Sequence, residues 1–352
     1  MKREYRIQNT EYRTQFQLLL TKKSVRIVGL YILALFLGIA IAGCGQKIHN
    51  PNQGMNETQI EAYRIISDAL SSDNPLLRVN AIETAATTRQ DNFMPTIQKL
   101  LKDPYVPVRF ASAVAVGDMQ YFPAINTINE LLRDSDPNVI IAASYAMAKL
   151  DHPEYLKVLR DSVVNNENQT IKANSALLLG KSGDKSSTQL LYQLMKDSRS
   201  SDMVSYQAAE AIAMLGDDQI YKTLWGMLVS NYADVRITGI DAMGTLGTIQ
   251  AENALSSMLS DPITEIRLAA SEQLGKMNNK SGQNVVLEVF QKEMNMVPDP
   301  RARERINTLA ALAIGEIGTP KLTKFLPELM KNESPFVRLA AAKAVFRSSR
   351  SY

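Results

Sequence analysis

The sequence is poor in reactive side chains. Its 352 residues include one cysteine, one tryptophan and two histidines, and aromatic residues make up only 7%. A single thiol cannot form an internal disulfide, so no covalent staple is expected. The two histidines are His49, in a polar stretch, and His152, in a turn. They do not supply the imidazole set that a transition-metal site needs. No polar catalytic cluster stands out, so no catalytic residue, metal ligand or cofactor is assigned. The net charge of +3 suggests nucleic acid, but its distribution argues otherwise. Residues 1–43 carry seven Lys or Arg and two acids, which leaves 32 basic and 34 acidic residues for the rest. The folded part therefore has no cationic excess to drive phosphate binding.

What the sequence does have begins with an apolar run. Residues 1–26 are polar and basic, and Ile27 to Gly43 carry no charge. A basic region followed by an apolar one and small residues describes an export signal. The run ends in Ile41-Ala42-Gly43-Cys44. This resembles the lipobox of bacterial lipoproteins. The resemblance implies a diacylglyceryl group on Cys44, cleavage before it, and a lipid anchor in the cell envelope. The plain alternative is an uncleaved signal anchor with an incidental Cys44. Either way the basic flank stays in the cytoplasm and the remainder lies outside it. Gly45, in place of Asp, resembles an outer-membrane address where the host has an outer membrane. Residues 45–56 are rich in Gly, Pro, Asn and Gln. They read as a flexible tether with a reach of about 20 Å. The expected division is a signal peptide over 1–43, the lipidated Cys44 with its tether over 44–56, a capping helix over 57–71, and repeats over 72–352.

The repeats recur about every 31 residues. Units start at Leu77, Val108, Val139, Ile171, Val204, Val235, Ile266, Ile306 and Val337. Four residues on, the side chain is always small, from Ala81 and Ser112 to Ala341; eight residues on, it is always apolar. Positions 0, +4 and +8 share one helical face. Position +9 is Gly or Ala in every unit except the last, where Phe346 is read as having no repeat after it. Turn glycines such as Gly183 and Gly247 end the first helices. A second amphipathic helix follows, as in residues 191–196 and 326–331. Two helices per unit, stacked nine times, predict an all-α solenoid. The motif, seen in Val235, Arg236, Ala242, Met243, Gly244, Leu246 and Gly247, resembles the short HEAT repeats first associated with phycobilisome lyases. Units one, three and nine lack the glycines and are read as drifted or capping units. Nine units at 8–10 Å each predict an open rod or arc roughly 80–90 Å long.

Basic residues recur one step after the unit start: Arg78, Arg109, Lys172, Arg236, Arg267 and Arg338. They form either an anion-binding stripe or a structural ladder with turn aspartates such as Asp103 and Asp261. The HEAT resemblance implies that the second helices line the concave side. There Tyr192 and Trp225 fall at the same position of adjacent units, with Lys157, Arg160, Gln189, Gln193, Lys196 and Lys222 around them. This is either a recognition patch or, for Trp225, core between repeats. The longest unit carries extra residues near 292–305, read as a solvated loop or a hinge. The expected function is a lipid-anchored scaffold outside the cytoplasm that binds a protein partner and is not an enzyme. An accessory or lyase-like enzyme and a glycan-binding protein are the alternatives.

Overall fold

The computed structural model describes residues 54–293, 297 and 299–349. The signal peptide, Cys44 and nearly all of the tether lie outside the described residues, as does part of the 292–305 segment. Among the described residues the chain is helical throughout, in the paired arrangement expected of a repeat solenoid.

The chain opens with α1 (Glu57–Leu70). Asn56 and Gln59 form a capping box at its start, so two amides that would otherwise lack partners are satisfied. The first helices of the units are α2 (Pro75–Thr87), α4 (Val106–Asp118), α6 (Pro137–Lys149), α8 (Gln169–Ser182), α10 (Asp202–Met214), α12 (Ala233–Leu246), α14 (Thr264–Lys276), α16 (Pro300–Ile317) and α19 (Pro335–Ser348). The second helices are α3 (Met94–Leu100), α5 (Ile125–Leu131), α7 (Leu156–Asn165), α9 (Thr188–Lys196), α11 (Tyr221–Leu228), α13 (Ile249–Ser257) and α15 (Gln283–Glu288), and in unit eight α17 (Pro320–Thr323) with α18 (Leu326–Leu329).

Position +12 of units one to eight lies in the left-handed region that ends the first helix. Gly183, Gly216, Gly247 and Gly318 take it in four units; Arg89, Gln120, Asp151 and Asn278 take it in the other four. The units without glycine therefore keep the same turn at a backbone cost. Unit nine has no such turn: Ser349 caps α19 in a right-handed conformation.

The expected open rod is not what forms. Helix α19 packs against α16 on one side and against α1 and α2 on the other. Lys343 Nζ lies 3.5 Å from Glu83 on α2, and Gln59 Nε2 on α1 lies 3.4 Å from Ser349. Helix α1 packs against α19 and α2 in the place that a second helix takes between the other units. The first residues of the solenoid thus complete its last repeat, and the nine units close into a ring. Units one and nine are not caps. Phe346 does have a neighbouring repeat, and it is buried.

Ring closure explains where the small residues lie. First helices pack more closely on one another than second helices do. On a ring the closer neighbours lie on the smaller circumference, so the first helices form the inner layer. A Cβ on Gly180 would sit 2.6 Å from the Ala211 Cα, and one on Gly315 would sit 2.6 Å from the Ala344 Cα. The inner helices therefore touch backbone to backbone. At position +2, Phe110, Ile141 and Leu268 are no more than 2% exposed, whereas Tyr206 and Ile237 are half-buried.

Three of the six basic residues at position +1 form a ladder between units. Arg78 reaches Asp103 at 2.9 Å, Arg109 grips Asp134 at 2.8 and 2.9 Å, and Arg236 lies 3.0 Å from Asp261. Each arginine also donates to the carbonyl six residues before it. Each aspartate accepts the amide two residues after it. The carboxylate comes from the following unit's turn; Asp103 gives Arg109 only its backbone carbonyl. Buried ion pairs are tolerated only when satisfied in this way. Burial works against the Asp134 charge, but the Arg109 guanidinium and the Asp136 amide outweigh it and hold the carboxyl below its ordinary pKa. These arginines are therefore structural rungs.

Candidate partner-binding surface

With the first helices inside, the second helices form the outer layer. This corrects their expected concave placement. The wider outer circumference splays them, so position +21 of one unit faces the turn of the next. Gln98 Nε2 donates to the Pro123 carbonyl at 3.4 Å across the first such joint. Arg160 pairs with Asp184 in the fourth unit's turn. The Asp184 carboxyl also accepts from Ser186 and Ser187; burial pushes its pKa up, and these bonds with the Arg160 charge hold it below the ordinary value. Arg160, expected in the recognition patch, is thus committed to a joint between units.

Tyr192 holds the same position one unit later. It is half-buried, and its hydroxyl lies near Asp217 and Asp218; burial first, then these charges, push its pKa up. Beside it opens a groove of about 500 Å³ lined by Lys185, Ser186, Thr188, Gln189, Tyr192, Lys196, Asp217 and Gln219. That volume lies within the range of small-ligand pockets. Its lining is polar, with hydroxyls, amides, two ammonium groups and one carboxylate. Of the residues singled out in the sequence, Gln189, Tyr192 and Lys196 line this groove. Gln193 is exposed on the same helix.

Trp225 occupies the equivalent position in the next unit. The facing turn there holds Gly247, Thr248 and Ile249 rather than an aspartate, and the indole stays 41% exposed. It is surface and not core between repeats. Val229, one turn on, is 60% exposed, and Tyr232 is 62% exposed. Lys222 is exposed one turn before Trp225, and Gly226 leaves open space beside it. The surface therefore has two parts, a polar groove at α9 and three exposed apolar side chains on α11 and in the turn from it to α12. Lys157 lies on α7, exposed, one unit before the groove.

Sequence reasoning did not find the charges at the inner ends of the first helices. Tyr145 is buried and donates to Asp118, which also pairs with Lys181 of the unit after at 2.9 Å. Burial, with Asp118 beside it, pushes the Tyr145 phenol far above its usual range. Arg347 grips Glu316 at 2.7 and 2.8 Å. Lys276 pairs with Glu272 at 3.1 Å, and its side chain keeps 39% of its accessibility. Desolvation opposes its charge, but Glu272, Asp241 and Glu316 outweigh it and raise its pKa. These groups are paired with one another and tie units together. Their sequence signal is a charge at position +6 or +10 on an otherwise apolar helix. Among the described residues no group of His, Cys, Asp and Glu could hold a metal ion, and no helix is long and apolar enough to cross a membrane.

No family model matches the chain, and no curated protein matches it in sequence. Several solved structures are similar in fold. Human deoxyhypusine hydroxylase in complex with glycerol shares 16% identity over 75% of this chain and 98% of its own, at a TM-score of 0.37. The complex of CpcE and CpcF of phycocyanin lyase from Nostoc shares 17% over 70% and 98%, at 0.43. Kap121p shares 13% over 81% and 37%, at 0.36. This chain shares with them a helical-repeat fold, and at these values no activity, ligand or partner passes from them to it.

Proposed function

We propose that the chain is an exported scaffold, anchored by a lipid on Cys44, that holds a protein partner against the outer face of α9 and α11. The exposed Trp225, with Val229 and Tyr232 beside it, carries the reading. Clustered aromatic and aliphatic side chains left open on a folded surface mark interaction sites. The lipid confines the ring to the envelope membrane, the outer one in a host that has two. Its short tether raises the partner's effective concentration there. The reading assigns no catalytic step and no cofactor. A crosslinking pull-down from intact envelopes, comparing the native chain with Trp225→Ala, tests it. Loss of one specific protein at unchanged helicity supports the reading; an unchanged capture profile contradicts it. Mass spectrometry of the mature N-terminus tests the anchor, since an unmodified Cys44 thiol would remove it.

One observation favours a second reading. The hydroxyl and amide lining of the groove, with the Tyr192 ring at its wall, also suits a glycan. Retention on immobilised envelope polysaccharide, lost in Tyr192→Ala, would move the assignment there.

A further inference from the structure

The ring has one joint unlike the others. In units one to eight a covalent turn links the first helix to the second. In unit nine α19 and α1 come from opposite ends of the solenoid, and only packing holds them together. Phe346 stands where the other units place Gly or Ala. Between α16 and α19, by contrast, a Cβ on Gly315 would sit 2.6 Å from the Ala344 Cα. The polar contacts across the joint are long, 3.5 Å for Lys343 to Glu83 and 3.4 Å for Gln59 to Ser349. On the other flank of α19, Arg347 holds Glu316 at 2.7 and 2.8 Å. Helix α1, by contrast, is fixed to unit one. The four residues 71–74 join it to α2, and Tyr63 stacks on Phe93 with ring centroids 4.3 Å apart.

We propose that the joint between α19 and α1 is a latch, and that the ring opens there in preference to any other place. Opening swings α19 away while α1 stays on α2. It uncovers Ile65, Ile66 and Leu70 on α1, and Val337, Ala341 and Val345 on the face of α19 that looks toward the second-helix layer. The closed ring becomes an arc with two complementary ends. Local opening favours the place with the fewest constraints, and this joint alone lacks the covalent turn that closes the other eight units and carries only long polar contacts.

Hydrogen exchange read by mass spectrometry on the full chain tests the latch. Peptides from α1 and α19 are expected to exchange together, at least tenfold faster than those of α8 and α10. Val345→Ala loosens α19 without touching α1's own link to unit one, and it should speed both helices by a similar factor. The proposal is overturned if α1 and α19 exchange no faster than α8 and α10. It is also overturned if Val345→Ala speeds α19 and leaves α1 unchanged, because the two would then be fraying independently.

Discussion

The same substitution should have opposite signs at two glycines. Gly226 lies inside α11, and a Cβ there would meet nothing within 4 Å. Alanine gains only the helical preference, and Gly226→Ala should stabilise by about 1 kcal/mol. Gly180 lies inside α8, where the same propensity gain applies. A Cβ there would stand 2.6 Å from the Ala211 Cα, 2.8 Å from its Cβ and 2.9 Å from its carbonyl oxygen. Ordinary carbon contacts are about 3.5–4.0 Å, so α8 and α10 must separate by about 1 Å. None of the three atoms is the end of a flexible side chain, so the strain cannot relax locally. Overpacking of this kind costs roughly 1–3 kcal/mol, and a rigid backbone contact belongs at the upper end. The net expectation for Gly180→Ala is a loss of about 2 kcal/mol. Urea unfolding followed by circular dichroism measures both. If Gly180→Ala stabilises the chain as much as Gly226→Ala, the inner helices do not touch, and the assignment of the first helices to the inner layer fails.

Other expectations follow from the turns, the ladder and the outer surface. Gln120 holds a φ of +49°, so Gln120→Gly should stabilise by about 1 kcal/mol in the same unfolding assay. The Asp134 carboxyl has a depressed pKa in the folded chain, so its contribution is present above the unfolded value of about 3.9 and is lost as pH falls through the folded value. Asp134→Asn should therefore flatten the stability curve below about pH 4 and cost about 3 kcal/mol at neutral pH, read from urea midpoints across pH. Ile66→Ala, at a fully buried site on α1, should cost about 2–4 kcal/mol. Ile60→Ala, on the same helix but 39% exposed, should cost under about 1 kcal/mol, and equal losses would deny α1 its place in the core. Trp225→Ala should change stability by less than about 1 kcal/mol, since the indole is half out of the structure.

The repeat was legible because inner packing leaves a mark on sequence. Backbone contact between first helices demands Ala or Gly at +9, and a small residue at +4 lets a second helix approach, as Gly239 does toward Met227 and Leu228; both recur with the period. The arginine ladder was legible for the same reason, since each rung needs a cation and a turn aspartate at fixed offsets. Closure was not legible, because no residue pattern links α1 to α19. One hint was present: a lone amphipathic helix before the first unit. The bulk of Phe346 pointed to a free end, yet it packs within the ring beside α2. The placement of the second helices followed the family habit of open solenoids, and closing the ring put the first helices inside. Trp225 depended on its partner across the joint. Arg160 faces Asp184 and Tyr192 faces Asp217, but Thr248 offers Trp225 nothing to hold it.

The central claim is that the first helix of the solenoid completes its last repeat. Spin labels at Gln59→Cys and Ser349→Cys, in a chain carrying Cys44→Ser, measure this as one distance. The closed ring predicts a dominant short distance, set by the label arms on two side chains that touch at 3.4 Å. A dominant population near the roughly 80–90 Å length of nine units in an open arc would contradict it.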